Sequence, residues 1–226
     1  VKYHPSLSLL EQYTEGTLAP EVALIVAAHL DFCPHCQSLH RDIEADMGCS
    51  LAQSVTTDAN DNFDAMLASI LESVGSQANV TQSEDPLSAN SKSTQIVVGG
   101  HSFKLPRSLQ RVASKPGKWL SIGGISTAKL PASDENHLSL LCIESGTAVP
   151  LHSHKGLEIT LVLAGEIADE MGCYAAGDLI INTPDHTHTP RNQGSEACLC
   201  LSVLTAPLEF KQGMTRLLNP LQRFFY

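Results

Sequence analysis

The sequence predicts an α + β multi-domain protein, with a four-helix domain over residues 1–75, a flexible linker over 76–93 and a β-sandwich or jelly-roll barrel over 94–226. Three observations predict it. The first 75 residues carry helix punctuation and 3.6-residue apolar spacing. Gly75 to Ser93 is rich in Gly, Ser and Asn and lacks aliphatic periodicity. From Lys118 onward the apolar runs are short and separated by Gly and Pro turns.

The helices follow in order. Pro5-Ser6 opens the first, which runs to Glu15 and is stopped by Gly16. Pro20 opens the second, Glu21 to Leu30, with Val22, Ile25, Val26 and His29 on one side. Cys33-Pro34 opens a third through roughly Met47. The fourth spans Asp61 to Val74, and its apolar residues Phe63, Met66, Leu67, Ile70, Leu71 and Val74 form one stripe. That stripe either packs on the other helices or docks on a partner protein.

Beyond the linker, Gln95 to Phe103 leads to Leu105-Pro106 and one helix through Val112. The strands expected next are Trp119 to Ile122, Leu138 to Ile143, Glu158 to Leu163, Leu179 to Ile181 and Ala197 to Leu204. The apolar-aromatic end, Leu217 to Tyr226, is expected to pack against this barrel.

A hydrophobic content of 42% is enough for real cores and excludes a disordered chain. The start lacks the basic and apolar regions of a secretory signal, and the most apolar stretch, Val22 to Leu30, is too short to span a bilayer. Seven cysteines without scaffold spacing point to a reducing, cytoplasmic setting. The net charge of −10 is uneven, because residues 1–75 carry eleven acidic side chains against Lys2 and Arg41. Such a segment repels nucleic acid and attracts a basic protein, including one that itself binds DNA. Plain solubility is the other reading of that charge.

Two motifs carry chemistry. His29, Cys33 and Cys36 read as H-x3-C-x2-C. On a helix His29 and Cys33 share a face, and the Cys pair can approach one ion. Zinc takes four N or S ligands in a tetrahedron. His4 is the candidate fourth ligand, because a helical hairpin can bring the chain start back over the second helix. The competing reading, a C-x-x-C redox pair, calls for a βαβ setting that is not present.

The second motif is Gly146-x5-His152-x-His154-x3-Glu158-x6-Gly165. His152 and His154 alternate along a strand and share a face. Glu158 begins the next strand across a turn near Lys155-Gly156. A later unit, opened by Gly177-Asp178 and Pro184, offers His188 or His186 as a fourth ligand, and the spacing to Asn192 favours His188. Zinc, manganese, iron and nickel all accept a His3Glu set.

This second constellation resembles the two motifs of the cupin family. It departs in the second motif, where Pro184 sits one residue late and His186 stands in place of a glycine. The resemblance implies a cupin-like barrel with one divalent metal, expected to be zinc, held by His152, His154, Glu158 and His188. The N-terminal stretch resembles the zinc-binding anti-sigma domain, with zinc on His4, His29, Cys33 and Cys36. Together, in this order, they resemble the ChrR family of anti-sigma factors.

That resemblance implies a regulator rather than an enzyme. The helical domain would clasp an extracytoplasmic-function sigma factor and keep it from polymerase and promoter. The cupin-like domain would serve the response to singlet oxygen or related oxidants, including organic peroxides. No direct contact with nucleic acid or membrane is implied. The alternative is a metal-dependent cupin oxygenase with a helical accessory domain, which leaves the H-x3-C-x2-C motif and the acidic helices unexplained.

Cys198 and Cys200 alternate on an expected strand, so both face one side, either as small buried side chains or as a redox pair near the metal. Cys142 and Trp119 read as core. Cys49 and Cys173 carry no signal, and His35, His40, His101 and His137 have no partner spacing.

Overall fold

A computed structural model describes residues 1–54, 62–75, 95–113, 116–133 and 136–211. The expected linker and the C-terminal apolar-aromatic run lie outside the described residues. Two compact units emerge, residues 1–43 with 93–226, and residues 44–92. This grouping differs from the boundaries that texture alone suggests, and the second helix supplies the reason.

Among the described residues, four helices come first: α1 (Leu7–Thr14), α2 (Pro20–Leu30), α3 (Pro34–Ser54) and α4 (Asn62–Gly75). The Ser6 hydroxyl caps α1 by accepting from Leu9 N, and Pro20 sits in the first turn of α2. Helix α2 has apolar residues on both sides, the mark of a buried helix. Ile25 and Ala28 enter the core of the β-domain, while Val26 and Leu30 pack with Leu10, Cys33 and Cys36. The expectation of a single apolar side is therefore corrected.

Both ends of α2 are tied to the β-domain. The buried Glu21 carboxylate accepts from Ser133 N and from Asn136 Nδ2. Asp31 Oδ2 accepts from Ser108 N at 2.8 Å. Helix α3 runs beyond Met47 to Ser54. On α4, Met66, Leu67, Ile70 and Leu71 are all exposed.

Among the described residues, the β-domain has thirteen strands. They are β1 (Gln95–Val98), β2 (His101–Lys104), β3 (Leu120–Ile122), β4 (Ile125–Lys129), β5 (His137–Ile143), β6 (His152–His154), β7 (Glu158–Ala164), β8 (Glu166–Ala168), β9 (Cys173–Ala175), β10 (Leu179–Asn182), β11 (Thr187–His188), β12 (Cys198–Leu204) and β13 (Leu208–Phe210). The expected run from Gln95 to Phe103 is a hairpin turning at Gly99-Gly100, and the helix expected near Val112 is a single 3-10 turn, Arg107–Leu109.

The main sheet has the order β10-β7-β12-β5-β4-β3, all antiparallel. A smaller sheet, β11-β6-β13, and the hairpin β8-β9 complete the jelly-roll-like domain. Strand β12 is buried along its whole length. One face of the main sheet, with Leu161, Leu199, Leu201 and Val203, packs in the cluster that includes Ile25 of α2. The other face turns Thr160, Cys200 and Ser202 toward an interior cavity. Period-2 alternation thus sends one set of side chains to the helix and the other to the cavity.

Candidate metal centres

Strand pairing assembles the larger cluster. His152 pairs with His188 across β6 and β11, and Glu158 pairs with Asn182 across β7 and β10. The alternation of β6 keeps His152 and His154 on one face. Ligand atoms of His152, His154, Glu158 and His188 all lie within 4.8 Å of one another. His188 Nε2 is 3.1 Å from both His152 Nε2 and His154 Nε2. Glu158 Oε2 lies 3.4 Å from His154 Nε2 and 3.8 Å from His188 Nε2.

The outer partners fix the tautomers. His152 Nδ1 donates to the Pro150 carbonyl at 2.9 Å, and His188 Nδ1 donates to Asp169 Oδ2 at 2.9 Å. Both rings therefore present bare Nε2 lone pairs to the same point. Lone pairs facing each other in a buried site repel unless a cation lies between them, so the donor set fits a divalent metal. Burial pushes the His154 imidazole down to about 4, and it also lowers that of His152, which keeps both rings neutral for ligation.

Asp169, Asn182 and Tyr174 escaped the sequence reading. Burial opposes ionisation of Asp169, but bonds from His188, Met171 N and Tyr174 outweigh it and hold the carboxyl below its ordinary value. Asn182 Nδ2 donates to Glu158 Oε2 at 2.9 Å and aims that oxygen at the three imidazoles. The pairing of Glu158 with an inward residue of β10 is the one signal that could have found Asn182.

The cluster opens on a cavity of about 450 Å³. Ile125, Leu141, Ile143 and Phe210 contribute to its apolar wall, while Ser139, Thr160 and Ser202 form a hydroxyl row across β5, β7 and β12. Cys200 lies on the wall, with its Sγ 3.7 Å from that of buried Cys198. The bond to Cys198 and then burial raise the Cys200 thiol well above its ordinary value, so it stays protonated. His186 stands outside the cluster and receives Thr183 N at its Nδ1. Asn192 is fully buried and structural, donating to the carbonyls of Ile143 and Glu196.

The second cluster comprises His4, His29, Cys33 and Cys36, whose ligand atoms also lie within 4.8 Å of one another. His4 Nδ1 is 3.4 Å from both Cys33 Sγ and Cys36 Sγ. His29 donates from Nδ1 to the Gly177 carbonyl at 2.8 Å, which leaves its Nε2 buried with no hydrogen-bond partner. An orphaned buried nitrogen costs free energy unless something outside the protein meets it. Two sulfurs and two imidazole nitrogens suit a tetrahedral metal site. Burial, and then the neighbouring Cys33, raise the Cys36 thiol, so a cation is what would draw out the thiolates.

The remaining histidines lie elsewhere. His35 stacks edge-on against His4 at 5.3 Å between ring centroids, His40 meets Thr14, His101 meets Glu144, and His137 lines the cavity. Among the described residues, no single helix is long and apolar enough to cross a membrane.

Comparison with known proteins agrees with both halves. Residues 110–207 match the ChrR cupin-like domain family, and residues 6–37 match a zinc-finger family. Over 224 residues the chain is 32% identical to the anti-sigma-E factor ChrR of Cereibacter sphaeroides, covering 99% of each chain. It also resembles the crystal structure of Rhodobacter sphaeroides SigE in complex with the anti-sigma ChrR. There the TM-score is 0.64 and the identity 31%, covering 90% of this chain and 98% of the other.

Proposed function

The chain belongs to the ChrR family of anti-sigma factors, and we propose that it binds and inhibits an extracytoplasmic-function sigma factor through a zinc-dependent domain over residues 1–75. Its role is regulatory, not enzymatic. The observation that carries the reading is the orphaned His29 Nε2 buried beside Cys33, Cys36 and His4, a donor set built for zinc. The metal would tie the chain start to α2 and α3 and so fix the surface offered to the partner.

Two further features support this reading. The acidic excess of residues 1–75 complements a basic, DNA-binding protein. The exposed apolar stripe on α4, with Met66, Leu67, Ile70 and Leu71, is the kind of face a partner covers.

The cupin-like domain is the sensor in this reading. Its His3Glu set, His152, His154, Glu158 and His188, holds a divalent metal, with zinc the first candidate. The signal is singlet oxygen or a related oxidant, including an organic peroxide, acting in the cytoplasm. The test is a reporter driven by a promoter that the cognate sigma factor serves. The intact chain should silence it and Cys33→Ser should not. Restored activity under oxidant should require His152 and His154. Equal silencing by intact and Cys33→Ser chains would contradict the zinc-dependent reading.

A further inference from the structure

The turn between β9 and β10 touches the N-terminal cluster at His29 and holds the residues just before His4. Gly177 adopts φ +92, and a Cβ there would press on Phe32 Cβ at 2.9 Å. A residue without a side chain lets the backbone come close enough for the Gly177 carbonyl to accept from His29 Nδ1. The next residue, Asp178, accepts from Lys2 N and Tyr3 N through one carboxylate oxygen and from Ala175 N through the other. Leu179 N then donates to the Tyr3 carbonyl at 3.1 Å. Residues 2 and 3, immediately before His4, are thus fixed by the β-domain.

A second line of contacts leaves the same place for the His3Glu cluster. The Tyr3 ring packs against Tyr174, tilted by 53°, with 4.7 Å between centroids. The Tyr174 hydroxyl donates to Asp169 Oδ1 at 3.1 Å, and Asp169 Oδ2 accepts from His188 Nδ1. All of these groups lie within one compact unit.

We infer that the two metal sites are thermodynamically coupled through His188, Asp169, Tyr174 and Tyr3, so that loss of the cupin metal weakens metal binding at His4, His29, Cys33 and Cys36. His188 would hold a metal with its Nε2, which would fix the ring; the ring bonds Asp169, and Asp169 accepts from the Tyr174 phenol that Tyr3 packs against. Without the metal, His188 would be held by Asp169 alone, and the segment bearing His4 would lose part of its support. Outer partners of metal ligands typically set affinity by about 10–100-fold. Linkage makes the effect reciprocal, so an emptied N-terminal site also weakens the cupin site.

This inference rests on the two proposed ligand sets, and cobalt separates its failure from theirs. Only the N-terminal set contains thiolates, so a thiolate-to-cobalt absorption band reports that site alone, and Cys33→Ser should abolish it. Cobalt affinity at this band is measured by chelator competition in the full chain, in a four-protein cycle of wild type, His152→Ala, Tyr174→Phe and the double variant. Asp169→Asn, which keeps the side-chain shape, serves as a second variant, read at cobalt concentrations that still fill its weakened cupin site.

His152→Ala is expected to weaken the N-terminal affinity about fivefold or more with Tyr174 present. The same change should have less than about a twofold effect in the Tyr174→Phe and Asp169→Asn backgrounds. An unchanged affinity on His152→Ala, or the same loss in all three backgrounds, would overturn the coupling alone. Absence of the band in the wild type would remove the N-terminal site and the coupling with it.

Discussion

Asp169 Oδ2 accepts from His188 Nδ1 at 2.9 Å, and this bond decides which imidazole nitrogen faces the cluster. The carboxylate is itself held by Met171 N, Gly172 N and the Tyr174 hydroxyl. Asp169→Asn removes the charge that favours the Nδ1–H tautomer while keeping the volume. The expected result is a loss of about 10–100-fold in cupin-metal affinity. Isothermal titration of the metal-free variant checks it, with circular dichroism to verify the fold. Wild-type affinity would show that His188 needs no such support.

Zinc at the N-terminal cluster is expected to contribute directly to the stability of residues 1–43, because the orphaned His29 Nε2 and two buried sulfurs have no better partner. His29→Ala and Cys33→Ser should each remove one equivalent of bound zinc and lower Tm by several degrees. Metal analysis and a thermal melt, with and without chelator, check this. A chelator should shift the wild type by more than either variant, since the variants keep only the cupin metal.

His137 carries a pH dependence of known sign. Burial, and then the Lys129 ammonium, push its imidazole from 6.5 down to about 4. The unfolded chain therefore takes up this proton first as pH falls. The stability tied to neutral His137 is full above about 6.5 and is lost as pH drops toward about 4. His137→Asn should flatten the fall in Tm over that window relative to wild type. Parallel profiles would place the histidine in a more solvated setting than the cavity wall.

The shared core is the place where truncation should cost most. Leu201 is fully buried on β12, with β5 on one side and β7 on the other. Leu201→Ala is expected to lose about 2–5 kcal/mol in denaturant unfolding. Val97→Ala, at a side chain that is 65% exposed, should stay within about 0.5 kcal/mol. Similar losses at the two positions would contradict the burial of β12.

The two ligand clusters were legible because their spacing is local. His29, Cys33 and Cys36 fall within eight residues, although α2 ends at Leu30 and α3 begins at Pro34, so a tight turn and not one helix face brings His29 to the cysteines; His152, His154 and Glu158 fall within seven across one turn. The helices and principal strands were legible from Pro, Gly and apolar period. Asp169 was not, since it meets His188 across 19 residues and sits in a turn with no period to mark it. Nor was the attachment of α2 to the β-domain. A helix apolar on both faces reads the same whether its second face meets a helix or a sheet, and the contact through Gly177 is made by a carbonyl that no side chain announces. The expected short strands also hid β4, β8, β9 and β13, because three to five residues leave little alternation to read.

The central claim is that zinc at His4, His29, Cys33 and Cys36 supports a complex with a sigma factor. The most direct measurement is co-purification of the full chain with its extracytoplasmic-function sigma factor, by size exclusion, with zinc present and after chelation. The expected result is a one-to-one complex that forms with zinc, is lost on chelation and does not form with Cys33→Ser. A complex equally stable in all three conditions, or none in any, would contradict it.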